Sequence, residues 1–146
     1  MHLRQAVSAA ILLTALVCLL AAPNAQSADK YKARLSPLGV TGATVNTITG
    51  SGSVTATLQG TKLTIEGTFD GLTGSATTAN IRRALKALAG PVVFEITELT
   101  KASKGTIAGT FELKPDQVED LKAGRLYVQI HSERAPEGSI RGWLLK

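Results

Sequence analysis

Short segments in which apolar and polar residues alternate recur from residue 31 to the C-terminus, and this alternation constrains the fold most. Successive side chains of a β-strand point to opposite faces of the sheet, so a period of two predicts strands that are buried on one face. Gly60-Thr61 separates two of these segments and predicts a hairpin. The segments predicted as strands are Tyr31–Leu35, Ser53–Leu58, Lys62–Phe69, Pro91–Ile96, Thr106–Leu113, Leu126–Ser132 and Ser139–Leu145.

Three segments depart from the alternation. Pro115–Ala123 has proline in the first turn, early acids, a late lysine and a following glycine, which predicts a short helix. Val118 and Leu121 form its apolar pair, so Asp116, Glu119 and Asp120 are predicted to face outward. Ala79–Leu88 has helical spacing in its second half, and Ser36–Gly52 predicts an exposed loop or a frayed edge strand. About seven or eight strands with regular turns therefore indicate an all-β fold, an antiparallel Greek-key-like β-sandwich with one short helix.

Period two also predicts which side chains form the core of the sandwich. Every second residue of the closing pair of strands is apolar or glycine, and the same holds for two strands further upstream. The predicted core consists of Leu63, Ile65, Phe69 or its neighbour, Ile107, Phe111, Leu113, Leu126, Val128, Ile130, Ile140, Gly142 and Leu144.

The N-terminus has the pattern of an export signal. Arg4 is followed by fourteen uncharged, mostly apolar residues, 9–22, a run shorter than the about 20 residues of a spanning helix. The only cysteine, Cys18, lies inside this run, so the mature chain would have no disulfide. We predict a signal peptide over 1–27, a domain over 30–146, no transmembrane anchor after cleavage, and a secreted or periplasmic location. The candidate cleavage positions follow Ala25, Ser27 or Ala28.

The C-terminal run resembles the closing motif of the CHRD domain, a family named for its occurrence in chordin. The matching residues are Tyr127-Val128-Gln129-Ile130-His131-Ser132, then Pro136, then Gly138-Ser139-Ile140-Arg141-Gly142. Gly90–Val93, Gly109–Leu113 and Leu121–Gly124 are also similar to the family pattern, so the resemblance covers about Lys32 to Leu145. It implies an exported module without an established catalytic activity.

The chain departs from the family pattern at several positions. Where the family commonly has alanine-histidine-isoleucine-histidine, this chain has Ala79-Asn80-Ile81-Arg82. Ser139 replaces a usual glutamate, and Trp143 replaces a usual polar residue. The chain thus lacks two histidines that the resemblance would place one strand period apart.

Few residues offer catalytic or metal chemistry. His131 is the only histidine after the predicted signal peptide, no serine lies in a nucleophile-elbow pattern, and the carboxylates have no ligand spacing. We therefore expect no enzyme activity, no metal and no cofactor. The alternatives are an enzyme that uses His131 with Arg141 and a carboxylate as its acid/base group, and a degenerate relative of a metal-binding or enzymatic β-sandwich.

The formal net charge is +5, and one cluster of basic residues comprises Arg82, Arg83 and Lys86. This cluster suggests a basic adaptor for anionic envelope polymers or an acidic protein partner. The alternative is a solvated helix face that keeps the protein soluble. We expect an unknown protein or an anionic polymer in the envelope or extracellular space as partner, and no nucleic acid.

The outer face of the closing hairpin is the candidate binding patch. Alternation places Tyr127, Gln129, His131, Arg141 and Trp143 on the side opposite the predicted core, with Leu145 beside them. His131 or Gln129 should lie across from Arg141, and Gln129 or Tyr127 across from Trp143. Asn80 and Arg82 join this side if their segment is a strand. The alternative, which we favour because lone aromatic residues are more often buried than functional, is that a loop such as Ser36–Gly52 covers Tyr127 and Trp143.

Overall fold

A computed structural model describes residues 26–146 of the chain. The predicted signal peptide therefore lies outside the described residues, apart from Gln26 and Ser27. The elements are β1 (Asp29–Leu35), β2 (Ser51–Gln59), β3 (Lys62–Asp70), β4 (Ala76–Arg83), β5 (Val92–Ile96), β6 (Glu98–Leu99), β7 (Gly105–Glu112), α1 (Pro115–Lys122), β8 (Leu126–Ser132) and β9 (Ala135–Trp143).

The strands form two antiparallel sheets that share one core. The first sheet has the order β1-β2-β3-β7-β6, and the second has the order β5-β4-β8-β9. The chain crosses between the sheets after β3, after β5 and, through α1, after β7, so β7 pairs with β3 and β8 pairs with β4. The predicted antiparallel β-sandwich with one short helix is confirmed, with nine strands over residues 26–146 rather than seven or eight.

The core contains the side chains that period two assigned to it. Leu63, Ile65 and Phe69 from β3 meet Val128 and Ile130 from β8 in one cluster of buried residues. Phe111 is the exception, because it is only half-buried and its ring packs 5.0 Å from that of Phe94. The other predicted core side chains are buried: Ile107, Leu113, Leu126, Ile140 and Leu144.

The helical expectation for the second half of Ala79–Leu88 is wrong. Strand β4 runs through Arg83, and a turn follows in which Leu88 N–H donates to the carbonyl of Leu85 and Ala87 has a positive φ of 71°. Ala79 and Ile81 of β4 face the core, and Asn80 between them is buried on the opposite face, where it contacts His131. Burial on both faces in the middle of a strand removes the alternation by which strands are recognised.

One edge of the sandwich is closed by hydrogen bonds between the two sheets. Lys32 and Leu145 exchange two backbone hydrogen bonds of 2.7 and 2.9 Å, and Ser36 and Arg141 exchange two of 3.1 and 3.0 Å. We call this junction of β1 with the end of the chain the seam. Gly142 lies in it, and a Cβ atom there would be 2.2 Å from the backbone oxygen of Arg34. Only glycine lets the two backbones approach so closely.

Helix α1 covers part of the core with Leu121, which is fully buried, and Val118, which is half-buried. The sequence placed Asp120 on the outer face of this helix, but its side chain is only 2% exposed. Arg83 Nε lies 2.9 Å from its Oδ2 and Arg125 Nη1 lies 3.6 Å from its Oδ1. Two guanidinium groups therefore compensate a buried carboxylate that joins α1 to the end of β4.

Candidate functional site

The closing hairpin pairs as its alternation requires. Tyr127 lies opposite Trp143 and Gln129 lies opposite Arg141, which are two of the pairings that the sequence allowed. On the other side of β8, Arg82 lies opposite Tyr127, so the segment around Ile81 is a strand of the same sheet. All six candidate patch residues thus lie on β4, β8 and β9, which are neighbouring strands of one sheet.

Gln129 and His131 face a bulge in the hairpin rather than solvent. Between the pairs at Ile130 and Ser132, His131 is opposed by four residues of β9, 136–139. Gln129 Nε2 donates to the Glu137 carbonyl at 2.8 Å, and His131 Nδ1 lies 2.8 Å from the Pro136 carbonyl oxygen. Gly138 has φ +121°, and a Cβ atom there would be 1.9 Å from Gln129 Nε2. The bulge covers both side chains, which are 5% and 8% exposed.

Asn80 holds the second nitrogen of His131. In the neutral ring, the proton that Nδ1 donates to the Pro136 carbonyl leaves Nε2 as the acceptor, and Asn80 Nδ2 lies 3.4 Å from Nε2. Asn80 stands where the family pattern has a histidine, and here its side-chain amide contacts His131 instead. Arg82, at the second such position, donates from Nε to the Gly90 carbonyl at 2.7 Å.

Tyr127 and Trp143 are covered by the turn that follows β4. Their rings lie 4.8 Å apart, Trp143 Nε1 donates to the Ala84 carbonyl at 3.0 Å, and Gly90 N–H donates to the Tyr127 hydroxyl at 3.0 Å. Tyr127 is fully buried and Trp143 is 8% exposed. The two aromatics therefore form a second small core, as the favoured alternative predicted.

The loop that bonds to this pair is not the one that the sequence suggested. The hydrogen bonds of Tyr127 and Trp143 go to residues 84–90 and not to the Ser36–Gly52 segment. That segment is anchored elsewhere, because Ser139 Oγ donates to the Thr49 carbonyl at 2.6 Å and Thr73 Oγ1 donates to the Asn46 carbonyl at 3.1 Å. It lies over the bulged end of the hairpin.

Arg141 and Arg82 are the two half-buried members of the patch, and Arg141 is the one that lies over the aromatic pair. The guanidinium carbon of Arg141 lies 5.8 Å from the ring centres of both Tyr127 and Trp143. Cation–π contacts of this kind hold the guanidinium over the aromatic pair. The outer face is thus a covered structural cluster with Arg141 at its rim.

That rim is part of a groove of about 310 Å³ that follows the seam. Lys32 and Arg34 from β1 line it on one side, Lys86 from the covering turn lines it on the other, and Arg141 and Trp143 complete it. The described residues that line the groove include no carboxylate. We call this feature the basic groove. Four cations in one half-open groove give a positive potential that favours an anionic ligand.

The basic cluster predicted from Arg82, Arg83 and Lys86 does not exist as a unit. Arg82 is hydrogen-bonded to Gly90, and Arg83 pairs with Asp120, so only Lys86 contributes to the basic groove. Lys32 and Arg34 line this groove although they were not among the candidate residues predicted from the sequence. Their signal was the alternation of Lys30, Lys32 and Arg34 along β1, which also marks this segment as a strand.

The lower end of the seam has its own ion pair. Lys146 Nζ lies 2.7 Å from Asp29 Oδ1, and this contact raises the pKa of Lys146. Next to it, burial and then the Asp29 charge raise the pKa of Tyr31, whose ring is 1% exposed. Lys146 is therefore engaged with a carboxylate, unlike the cations of the basic groove.

A broader depression lies on the outer face of the first sheet. It is lined by hydroxyl side chains of β2, β3 and β7, including Ser53, Thr68 and Thr106, and it shares Lys32 and Arg34 with the basic groove. Ser53 pairs with Thr68, and Thr68 pairs with Thr106, so these hydroxyls form a row across the strands. Lys32 and Arg34 of β1 thus lie between this polar face of the first sheet and the seam.

The family comparison agrees with the sequence resemblance. The model of the CHRD domain matches residues 31–144, which is nearly the whole of the described chain. No match was found among curated proteins or among solved structures. Over residues 26–146, no helix is long and apolar enough to cross a membrane, and no group of three or more His, Cys, Asp and Glu side chains is placed to hold a metal ion.

Proposed function

This chain belongs to the CHRD domain family, and on that premise we propose that it is an exported, non-catalytic module that binds an anionic ligand. Domains of this family occur in extracellular proteins, and the apolar run at residues 9–22 has the length of an export signal. The basic groove is the observation that carries the ligand class, because four cations line it without a carboxylate among the described lining residues.

The surroundings of His131 support a structural role for this side chain. Both of its ring nitrogens are engaged within the fold, by the Pro136 carbonyl and by Asn80, and the ring is 8% exposed. A general base must reach the proton that it removes from a substrate or nucleophile. Neither contact of His131 is with a nucleophile, so the acid/base group that an enzyme would need is committed to holding the hairpin bulge.

Retention on immobilised heparin, used as a generic polyanion, tests the anion-binding proposal. Lys32→Gln/Lys86→Gln removes one exposed cation from each side of the basic groove, and Lys62→Gln/Lys122→Gln removes two exposed cations that do not line it. Both variants lose the same net charge. Because closely spaced cations bind a polyanion together, we expect the groove variant to elute at clearly lower salt than the control.

Equal elution of the two variants would show that retention follows net charge alone, and it would remove the basic groove as a ligand site. Elution of the wild-type protein near physiological salt would also count against the proposal. Unchanged melting temperatures of both variants confirm that the comparison is between folded proteins.

Export is tested by the mass of the protein recovered from its own cells. We expect an N-terminus after Ser27, or after Ala25 or Ala28, and a chain without cysteine. A retained N-terminus or a lipid on Cys18 would contradict the assignment of residues 1–27 as a cleaved signal peptide.

A further inference from the structure

The exposed leucines of the described chain are concentrated around the basic groove. Seven large apolar side chains are exposed over residues 26–146, and four of them are leucines. Leu38 and Leu145 line the groove, at 37% and 44% exposure. Leu85 and Leu88 flank Lys86 in the covering turn, at 60% and 56% exposure. The other three exposed apolar residues are valines, none of which lines the groove.

Leucines beside cations match one class of ligand better than others. A soluble polyanion gains from Lys32, Arg34, Lys86 and Arg141 but gives exposed leucines nothing to bury against. A bilayer surface offers anionic headgroups for the cations, and an acyl region into which apolar side chains enter by about 5–10 Å. We propose that the basic groove and its leucines dock the protein on the surface of an anionic lipid bilayer. This deepens the proposed function by naming the ligand, and it rests on that function.

The geometry assigns separate roles to the two kinds of side chain. The cations contact the phosphates of one or more headgroups at the groove, and each contributes about fivefold to the affinity for an anionic surface. Leu85 and Leu88, at the tip of the covering turn, enter the headgroup boundary beside Lys86. Trp143 stays in place under the turn, since its Nε1 is bonded to the Ala84 carbonyl.

Co-sedimentation with lipid vesicles tests the proposal on the mature chain. The vesicles are phosphatidylcholine alone, or phosphatidylcholine mixed with phosphatidylglycerol. We expect binding to the anionic mixture only, and a loss of roughly 30-fold in Lys32→Gln/Lys86→Gln relative to Lys62→Gln/Lys122→Gln. Leu85→Ser/Leu88→Ser should weaken vesicle binding by about tenfold or more. Its matched control is Val45→Ser, because Val45 is 52% exposed and does not line the groove.

Heparin retention of the same proteins separates the two proposals. The leucine variant should bind vesicles weakly and elute from heparin like the wild type, since its charge is unchanged. Groove-dependent heparin retention without binding to anionic vesicles would overturn the lipid proposal and leave the anion-binding function standing. Vesicle binding that is the same in Leu85→Ser/Leu88→Ser and Val45→Ser would also overturn it, because the attraction would then be electrostatic alone.

Discussion

Gly142→Ala should open the seam that closes the sandwich. The added Cβ atom would be 2.2 Å from the Arg34 backbone oxygen, and the neighbouring residue Arg141 exchanges two hydrogen bonds with Ser36 across the same junction. Overpacking costs about 1–3 kcal/mol, and each backbone hydrogen bond that is lost costs about 0.5–1.5 kcal/mol. The free energy of unfolding should therefore fall by about 3 kcal/mol, which lowers the melting temperature by roughly 10 °C.

Urea and thermal unfolding measure this loss, and Gly42→Ala is the matched control. Gly42 has no atom within 4 Å of an added Cβ and no positive φ, so its substitution should change the free energy of unfolding by less than about 1 kcal/mol. If Gly142→Ala unfolds like Gly42→Ala, β1 and the end of the chain do not approach as closely as described. The basic groove would then lose its structural basis, because its cations are brought together by this seam.

Three further predictions concern buried side chains. Val128→Ala should lower the free energy of unfolding by roughly 1–3 kcal/mol in urea titration, whereas Val45→Ala, at a residue 52% exposed, should leave it nearly unchanged; equal effects would contradict the facing of β8. The raised pKa of Tyr31 means that its stabilising effect is complete below pH 10.0, the ordinary value, and is lost as the pH rises through the higher pKa of the folded state. Unfolding at pH 8 and pH 11 should thus show a smaller alkaline loss for Tyr31→Phe than for the wild type, and equal losses would refute the assignment. The emission maximum of Trp143, the single tryptophan, should be blue-shifted and resist quenching by acrylamide, and a red-shifted, quenchable spectrum would show that the covering turn does not lie over it.

The closing hairpin was predictable from the sequence because it combines a strict alternation with a short connection. Because side chains alternate along a strand, Val128 and Ile130 must face one side of the sheet and Tyr127 and Gln129 the other. The same rule selected Leu63 and Ile65 for the core. In these strands one face packs against the second sheet, so every second residue is buried. This period of two can be recognised in the sequence alone.

Strand β4 and the covering turn could not be predicted in the same way. In the middle of β4, Ala79 and Ile81 face the core and Asn80 is buried against His131 on the other face, so burial does not alternate there. Leu85 and Leu88 have helical spacing but lie in a turn that packs on Tyr127. Asp120 was predicted to face outward because nothing near it in the sequence indicated how a buried carboxylate would be compensated. The two arginines that compensate its charge, Arg83 and Arg125, come from other segments of the chain.

The class of fold, the facing of the regular strands and the resemblance to the CHRD family could all be read from the amino-acid sequence. These depend on local periodicity and on short motifs, which are properties of neighbouring residues. The candidate site was decided only by the tertiary structure. Lys32 and Arg34 are separated from Lys86 and Arg141 by more than fifty residues of chain, and hydrogen bonds at the seam bring them to one groove. In the unfolded chain, charges this far apart in sequence are on average farther apart than the screening length and interact little, so only the pairing of β1 with the end of the chain makes them a site.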